Sequence, residues 1–188
     1  MTVYEALGIR DVPERLLVVD GHSALYRSFY AVPDLTTSRG EPVGALYGFL
    51  RTLLKVLREY PSLYVVVALD AGGVTVRHEE YVEYKATRKP TPEPLAAQIP
   101  RVPELLGAFG ISCLVIPGYE ADDVMASLSW EAENKGISVL HLTGDKDMAQ
   151  LVSDKVKLLR PGRGPADRVT VLDRDGVVAK FGVPPERV

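Results

Sequence analysis

Six residues, Gly118-Tyr119-Glu120-Ala121-Asp122-Asp123, carry three carboxylates within four positions, directly after an apolar run that ends at Ile116-Pro117. Two unit charges about 4 Å apart repel by roughly 4 kcal/mol at the effective dielectric of a protein surface, so such a cluster needs cations or protons beside it. Other acids stand where other apolar runs stop: Asp20 after Leu16–Val19, Asp70 after Leu63–Leu69, and Asp145 with Asp147 after Ile137–Leu142. Taken singly, each has a local explanation as a helix cap or a turn former. Taken together the local explanation weakens, because four run ends would each have to choose an acid independently, and capping one helix needs one carboxylate rather than three. Seven oxygen donors, with no cysteine cluster and no His pair at metal spacing, point to hard cations, Mg²⁺ or Mn²⁺, rather than structural zinc. Seven carboxylates exceed what one Mg²⁺ uses. Two ions about 3.5–4 Å apart clamping a phosphoryl group account for the surplus, and that chemistry is phosphodiester hydrolysis.

Such a site needs cations for the substrate backbone. Residues 77–89 supply Arg77, Lys85, Arg88 and Lys89, with Tyr81 and Tyr84 interleaved, shortly after Asp70. Cations bind phosphates and aromatic faces stack on unpaired bases, which suits a single-stranded end or flap; the plainer alternative is a solvated helix face. Arg27, seven residues beyond Asp20, is a further candidate phosphate clamp, with a surface salt bridge as its alternative.

The elements that must position these groups are legible in outline. Leu16–Val19, Leu63–Leu69, Ile111–Ile116, Ile137–Leu142, Val156–Arg160 and Val169–Leu172 are short apolar or alternating runs expected to form strands. Between them, Val43–Glu59 repeats apolar residues at helical spacing (Val43, Leu46, Tyr47, Leu50, Leu53, Leu54, Leu57), and Ala121–Asn134 continues the acidic cluster as a helix closed by Gly136. The segment Glu93–Phe109 contains Pro94, Pro100 and Pro103 and predicts a broken helix capped by Gly110. A short helix is expected over Met148–Val152 and another near Asp175–Phe181, while Thr36–Gly40 reads as a polar loop and residues 1–15 as an extension outside the core. Strands alternating with helices predict an α/β fold, an open, mostly parallel sheet with helices on both faces. Ligands of such sheets bind beyond the carboxyl ends of the strands, where all seven acids fall.

Composition bounds the rest. The 188 residues, 46% hydrophobic and 25% charged, suit one globular domain with a sizeable core. A net charge of -3 excludes a surface that is basic throughout while leaving room for a local basic strip beside an acidic pocket. The single cysteine, Cys113, cannot form an internal disulfide and is expected to be a buried, inert thiol. No apolar run approaches the roughly 20 residues of a membrane span and the N-terminus lacks a signal pattern, so a cytoplasmic protein without membrane partners is expected.

These residues also form a recognisable series. Val18-Val19-Asp20-Gly21-His22 with Tyr26-Arg27, then Leu69-Asp70, Arg77, Tyr84-Lys85-Ala86-Thr87-Arg88, Pro92-Glu93, Gln98, Gly118-Tyr119-Glu120-Ala121-Asp122-Asp123 and Thr143-Gly144-Asp145-Lys146-Asp147-Met148-Ala149-Gln150-Leu151 resemble, in order, the 5'-3' exonuclease domain of bacterial DNA polymerase I. Its wider relatives are the flap endonucleases with a PIN-like core, and the resemblance spans residues 16–188. It implies metal-dependent removal of 5' ends and flaps, RNA primers on DNA included, by a monomer acting in replication and repair. It further implies Asp20, Asp70, Glu120, Asp122, Asp123, Asp145 and Asp147 as ligands of two ions, and residues 71–92 as an arch over the site. Lys85, Arg88 and Arg27 would then act on the scissile phosphate, with Arg77, Tyr84 and Lys89 on the nucleic acid. Val76, where the family usually has an aromatic, and Pro103 depart from the pattern in ways that touch packing rather than metal binding. By the same resemblance, a helix-three-turn-helix DNA-binding region would begin after Val188 and a polymerase domain beyond it, both absent from these 188 residues. A PIN-like domain that holds nucleic-acid ends without cleaving them is the alternative reading. A haloacid-dehalogenase-type phosphotransferase fits less well, because Asp20-Gly21-His22 lacks the second carboxylate of that motif.

Overall fold

A computed structural model describes residues 2–72, 90–162 and 168–188. Six strands, β1 (Arg15–Asp20), β2 (Tyr64–Leu69), β3 (Ser112–Val115), β4 (Ser138–Leu142), β5 (Val156–Arg160) and β6 (Thr170–Leu172), form one sheet in the order β3-β2-β1-β4-β5-β6. All neighbours pair in parallel except β5 and β6, which run antiparallel. The chain winds outward from β1 through β2 to β3, then returns to the other flank of β1 with β4. That reversal makes the β1–β4 junction a topological switch point, where a crevice opens at the carboxyl ends of the strands.

β1 shows why the sheet is covered on both faces. Leu17 and Val19 point into one core, with Leu25, Phe49, Leu53, Leu57, Leu95 and Leu106, whereas Leu16 and Val18 point into the other, with Met125, Val139, Met148, Val156 and Val177. The helices divide accordingly. The first core is capped by α2 (Gly21–Ala31), α3 (Gly44–Glu59), α4 (Glu93–Ala96) and α5 (Val102–Ala108), and the second by α6 (Ala121–Asn134) and α7 (Arg174–Phe181). A 3₁₀ turn over Ile99–Arg101 separates α4 from α5, so the prolines break that helix as their missing N–H groups require.

Two expectations are corrected, and one helix that the apolar spacing did not mark is added. Residues 3–7 form a helix, α1, whose Val3 is buried in the first core and whose Tyr4 hydroxyl donates to the Ser62 carbonyl at 2.6 Å, so the N-terminal segment is tied down rather than free of the core. The stretch after Asp20 contains α2, unmarked by periodicity because its buried face is Gly21, Ala24, Leu25 and Ser28, with one large apolar residue among them. In α3 the buried stripe is Ala45, Leu46, Phe49, Leu53, Val56 and Leu57; Tyr47 turns outward with the Arg51 guanidinium 5.5 Å from its ring centre. Among the described residues no helix is long and apolar enough to cross a membrane.

Candidate metal centre

The β1–α2 turn is built first. Asp20 ends β1 and caps α2, its Oδ1 accepting the Ser23 N–H at 2.9 Å, while Oδ2 accepts the Thr143 hydroxyl at 2.8 Å across the switch point. Gly21 lets this turn sit against β2, because a Cβ there would stand 2.5 Å from Leu69 Cδ2 and 2.9 Å from the Ala68 carbonyl oxygen. That close approach brings Asp70, the residue after β2, beside Asp20. The Asp70 N–H donates to His22 Nδ1 at 3.2 Å, and Asp70 Oδ1 accepts the Ala121 N–H at 2.7 Å. Asp70 thus satisfies a free donor at the start of α6 from another strand, where the helix dipole favours negative charge.

Glu120 is the N-cap of α6 and is buried, and Asp122 follows in the first turn. Asp145 lies past β4, where its N–H donates to the Thr143 hydroxyl at 3.0 Å and its Oδ1 accepts the Asp147 N–H at 2.9 Å. Asp20, Asp70, Glu120, Asp122 and Asp145 line one cleft of about 890 Å³, with His22, Ser23, Tyr26, Thr91 and Gly144. Asp123 and Asp147 do not line it. Asp123 Oδ2 accepts the Glu120 N–H at 3.2 Å, closing a capping box, and Asp147 is exposed at the start of the 3₁₀ turn Asp147–Leu151.

Among the described residues, charge in the cleft is unbalanced. Burial, then Asp20, Asp145, Asp70 and Glu120 in that order, push the Asp122 carboxyl up to about 6 from an ordinary 3.8. Burial also raises Asp20, against the pull of its bonds from Ser23 and Thr143. Both acids hold protons more tightly than usual chiefly because burial penalises the charged form, with the neighbouring carboxylates adding to that cost. A divalent cation would relieve the same repulsion, and the donors are all of the hard oxygen type. Yet among the described residues no three His, Cys, Asp or Glu side chains stand closely enough to cage an ion directly. Mg²⁺ commonly keeps several waters and takes only one or two carboxylates directly, which fits an open ring of acids of this kind.

Of the proposed cationic groups, Arg27 stands behind the loop after β4. Its Nη1 donates to the Gly162 carbonyl at 2.9 Å, and a Cβ on Gly144 would stand 2.6 Å from its Nη2. Arg77, Tyr84, Lys85, Arg88 and Lys89, with most of the proposed arch, lie outside the described residues. The acid pattern alone missed Thr143, Ser23 and Tyr26, uncharged residues that orient or line the cleft. Tyr26 and Thr143 stand in the series that carries the resemblance, while Ser23 is marked only by its place three residues after Asp20.

Comparison with known proteins identifies the family. Residues 15–182 match the family described as 5'-3' exonuclease, N-terminal resolvase-like domain. A thermostable DNA polymerase I of Thermus filiformis is 49% identical over 95% of this chain, which spans 20% of that polymerase. A 5'-3' exonuclease of Aquifex aeolicus is 42% identical over 92% of the chain and is covered to 58%. The chain therefore spans about a fifth of the polymerase and under two thirds of the exonuclease. In fold it is similar to the bacteriophage T5 D15 flap endonuclease in a complex with DNA and metal ions, with a TM-score of 0.62 at 20% identity over 90% of this chain and 61% of that one. The chain belongs to the 5'-3' exonuclease N-terminal domain family.

Proposed function

We propose that this chain is the catalytic core of a divalent-metal-dependent 5'-3' exonuclease and 5'-flap endonuclease, acting as a monomer on DNA ends and on RNA primers paired to DNA. One observation carries the reading: five carboxylates from the ends of β1, β2 and β4 and the start of α6 line a single cleft at the switch point, with Asp122 pushed up to about 6. Asp20, Asp70, Glu120, Asp122 and Asp145 would hold Mg²⁺ or Mn²⁺, with Asp123 and Asp147 adjoining. Bound there, two such ions would supply an activated water and charge for the departing oxygen. Thr143 and Ser23 fix the Asp20 carboxylate, and Asp70 orients α6 so that its acidic first turn faces the cleft. Lys85 and Arg88 are read as the cations on the scissile phosphate, with Arg27 beside them, and Arg77, Tyr84 and Lys89 as strand contacts. The DNA and metal ions in the complex of the T5 enzyme are consistent with this assignment. The lone thiol Cys113, without an intrachain partner, suits a reducing cytoplasm.

The test is incubation of the chain with an end-labelled 5'-flap duplex and Mg²⁺ or Mn²⁺, beside Asp122→Ala. Release of the flap by the wild type alone is expected; equal cleavage by both would overturn the assignment. The alternative reading is a domain that holds 5' ends without cutting them. Salt-sensitive flap binding with no cleavage in any divalent ion would select it.

A further inference from the structure

The acids account for the cleft, but just outside it stand two cations that meet no anion among the described residues. Arg160 ends β5, the strand beside β4, and its Nη2 donates to the Gly144 carbonyl at 3.4 Å. Arg27 approaches the same residue from α2: a Cβ on Gly144 would stand 2.6 Å from Arg27 Nη2. Its Nη1 is used on the Gly162 carbonyl, and its Nε is buried without an acceptor. Among the described residues neither guanidinium forms an ion pair. Two like charges converging on one glycine repel, and carbonyl oxygens return less than the charge-assisted, two-pronged bonds a guanidinium makes with an oxyanion. Both features describe a site short of one anion.

Position indicates which anion. Gly144 lines the acidic cleft and is followed by Asp145, so the arginines adjoin the acids on the β5 side. Neighbouring strands of a sheet lie about 4.8 Å apart, so the end of β5 stands roughly one or two nucleotides from the carboxylates at the end of β4. A nucleic-acid strand laid across the carboxyl edge of the sheet, with one phosphate at the acids, would bring a neighbouring phosphate to Arg160 and Arg27. We propose that Arg160, with Arg27, forms a phosphate subsite that holds the substrate strand next to the bond that is cut. The proposal rests on the nuclease reading for its substrate. It adds a residue, Arg160, that the acid pattern and the strip at residues 77–89 do not include.

The experiment uses the wild-type chain, Arg160→Ala, Arg160→Gln and Arg160→Lys with 5'-flap DNA. Metal-free binding is measured against salt, and cleavage is measured in Mg²⁺. Gln keeps a donor for the Gly144 carbonyl and removes the charge, which separates phosphate binding from support of the loop. For Ala and Gln alike, the expected result is a KM raised about fivefold to tenfold with kcat within about twofold, and a salt slope smaller by about 0.7–0.9, the value of one phosphate contact. Lys should recover most of the slope. A series of flaps carrying one neutral methylphosphonate, stepped along the strand, should show one position beside the cut that weakens the wild type and leaves Arg160→Ala unaffected. Binding and slope unchanged in Ala and Gln, full recovery by Gln, or methylphosphonate effects that add to Arg160→Ala at every position would each overturn the subsite. Failure of the wild type to bind any flap would also overturn it. Charge-dependent binding without cleavage would leave the subsite standing and defeat the nuclease reading instead.

Discussion

The two ends of β1 carry opposite charges that are used in opposite ways. At its start, Arg15 donates to the Pro61 carbonyl at 2.7 Å and the Ser62 hydroxyl at 3.3 Å, and Ser62 is in turn held by Tyr4, so the charge is spent tying the N-terminus to the loop before β2. At its end, Asp20 is hydrogen-bonded to Ser23 and Thr143 but faces Asp70 and Asp122, so its bonds orient a carboxylate whose electrostatic needs remain unmet. A charged group supplied with complementary partners holds the fold together. One fixed in place among like charges is held ready for a ligand.

Asp20→Ala should separate the two ends most sharply, with flap cleavage falling by more than about 100-fold, beyond the 10–100-fold typical of groups that only support a ligand. A loss under tenfold in steady-state assays would place Asp20 with Arg15 as a structural residue. Next in size, Mg²⁺ or Mn²⁺ at a hundredfold excess over Kd should stabilise the wild type by about 2.7 kcal/mol in thermal melts, and Asp20→Ala should lose most of that gain. Arg15→Ala should keep its full response to the ion.

The third effect is pH dependence without metal. The Asp122 carboxyl, at about 6 in the fold against an ordinary 3.8, takes up a proton on folding between those values, so its contribution to stability is full below about pH 4 and lost as pH rises through about 6. His141 acts in the opposite sense, because burial holds its imidazole down at about 4 from 6.5 and stability is lost as pH falls through that range. The diagnostic is therefore the difference between wild type and Asp122→Asn: the variant should lack the relative gain on going from pH 7 to pH 5. Parallel Tm profiles would mean that the acids do not share a field. Smaller still, Arg15→Ala should cost about 1 kcal/mol in chemical denaturation with turnover per folded molecule unchanged. Trp130→Ala, at a side chain 65% exposed near the far end of α6, should stay within about 0.5 kcal/mol of wild type in the same titration.

The amino-acid pattern by itself determined the six strands, the proline-broken segment before β3, and the placement of acids at strand ends. These follow from local causes: side-chain polarity sets which residues can be buried, and proline and glycine restrict the backbone wherever they stand. Periodicity missed α2, because a helix with one large buried side chain depends on its cap and on the neighbour it packs against. It also could not decide among the acids. Asp123 and Asp122 are adjacent and chemically identical, yet one closes the capping box of its own helix and the other faces Asp20 and Asp145. That choice, the close contact allowed by Gly21, and the meeting of Arg27 and Arg160 at Gly144 were decided only by tertiary structure. Each depends on the distance and angle between elements far apart in the chain, which packing of the two cores fixes and no local pattern encodes.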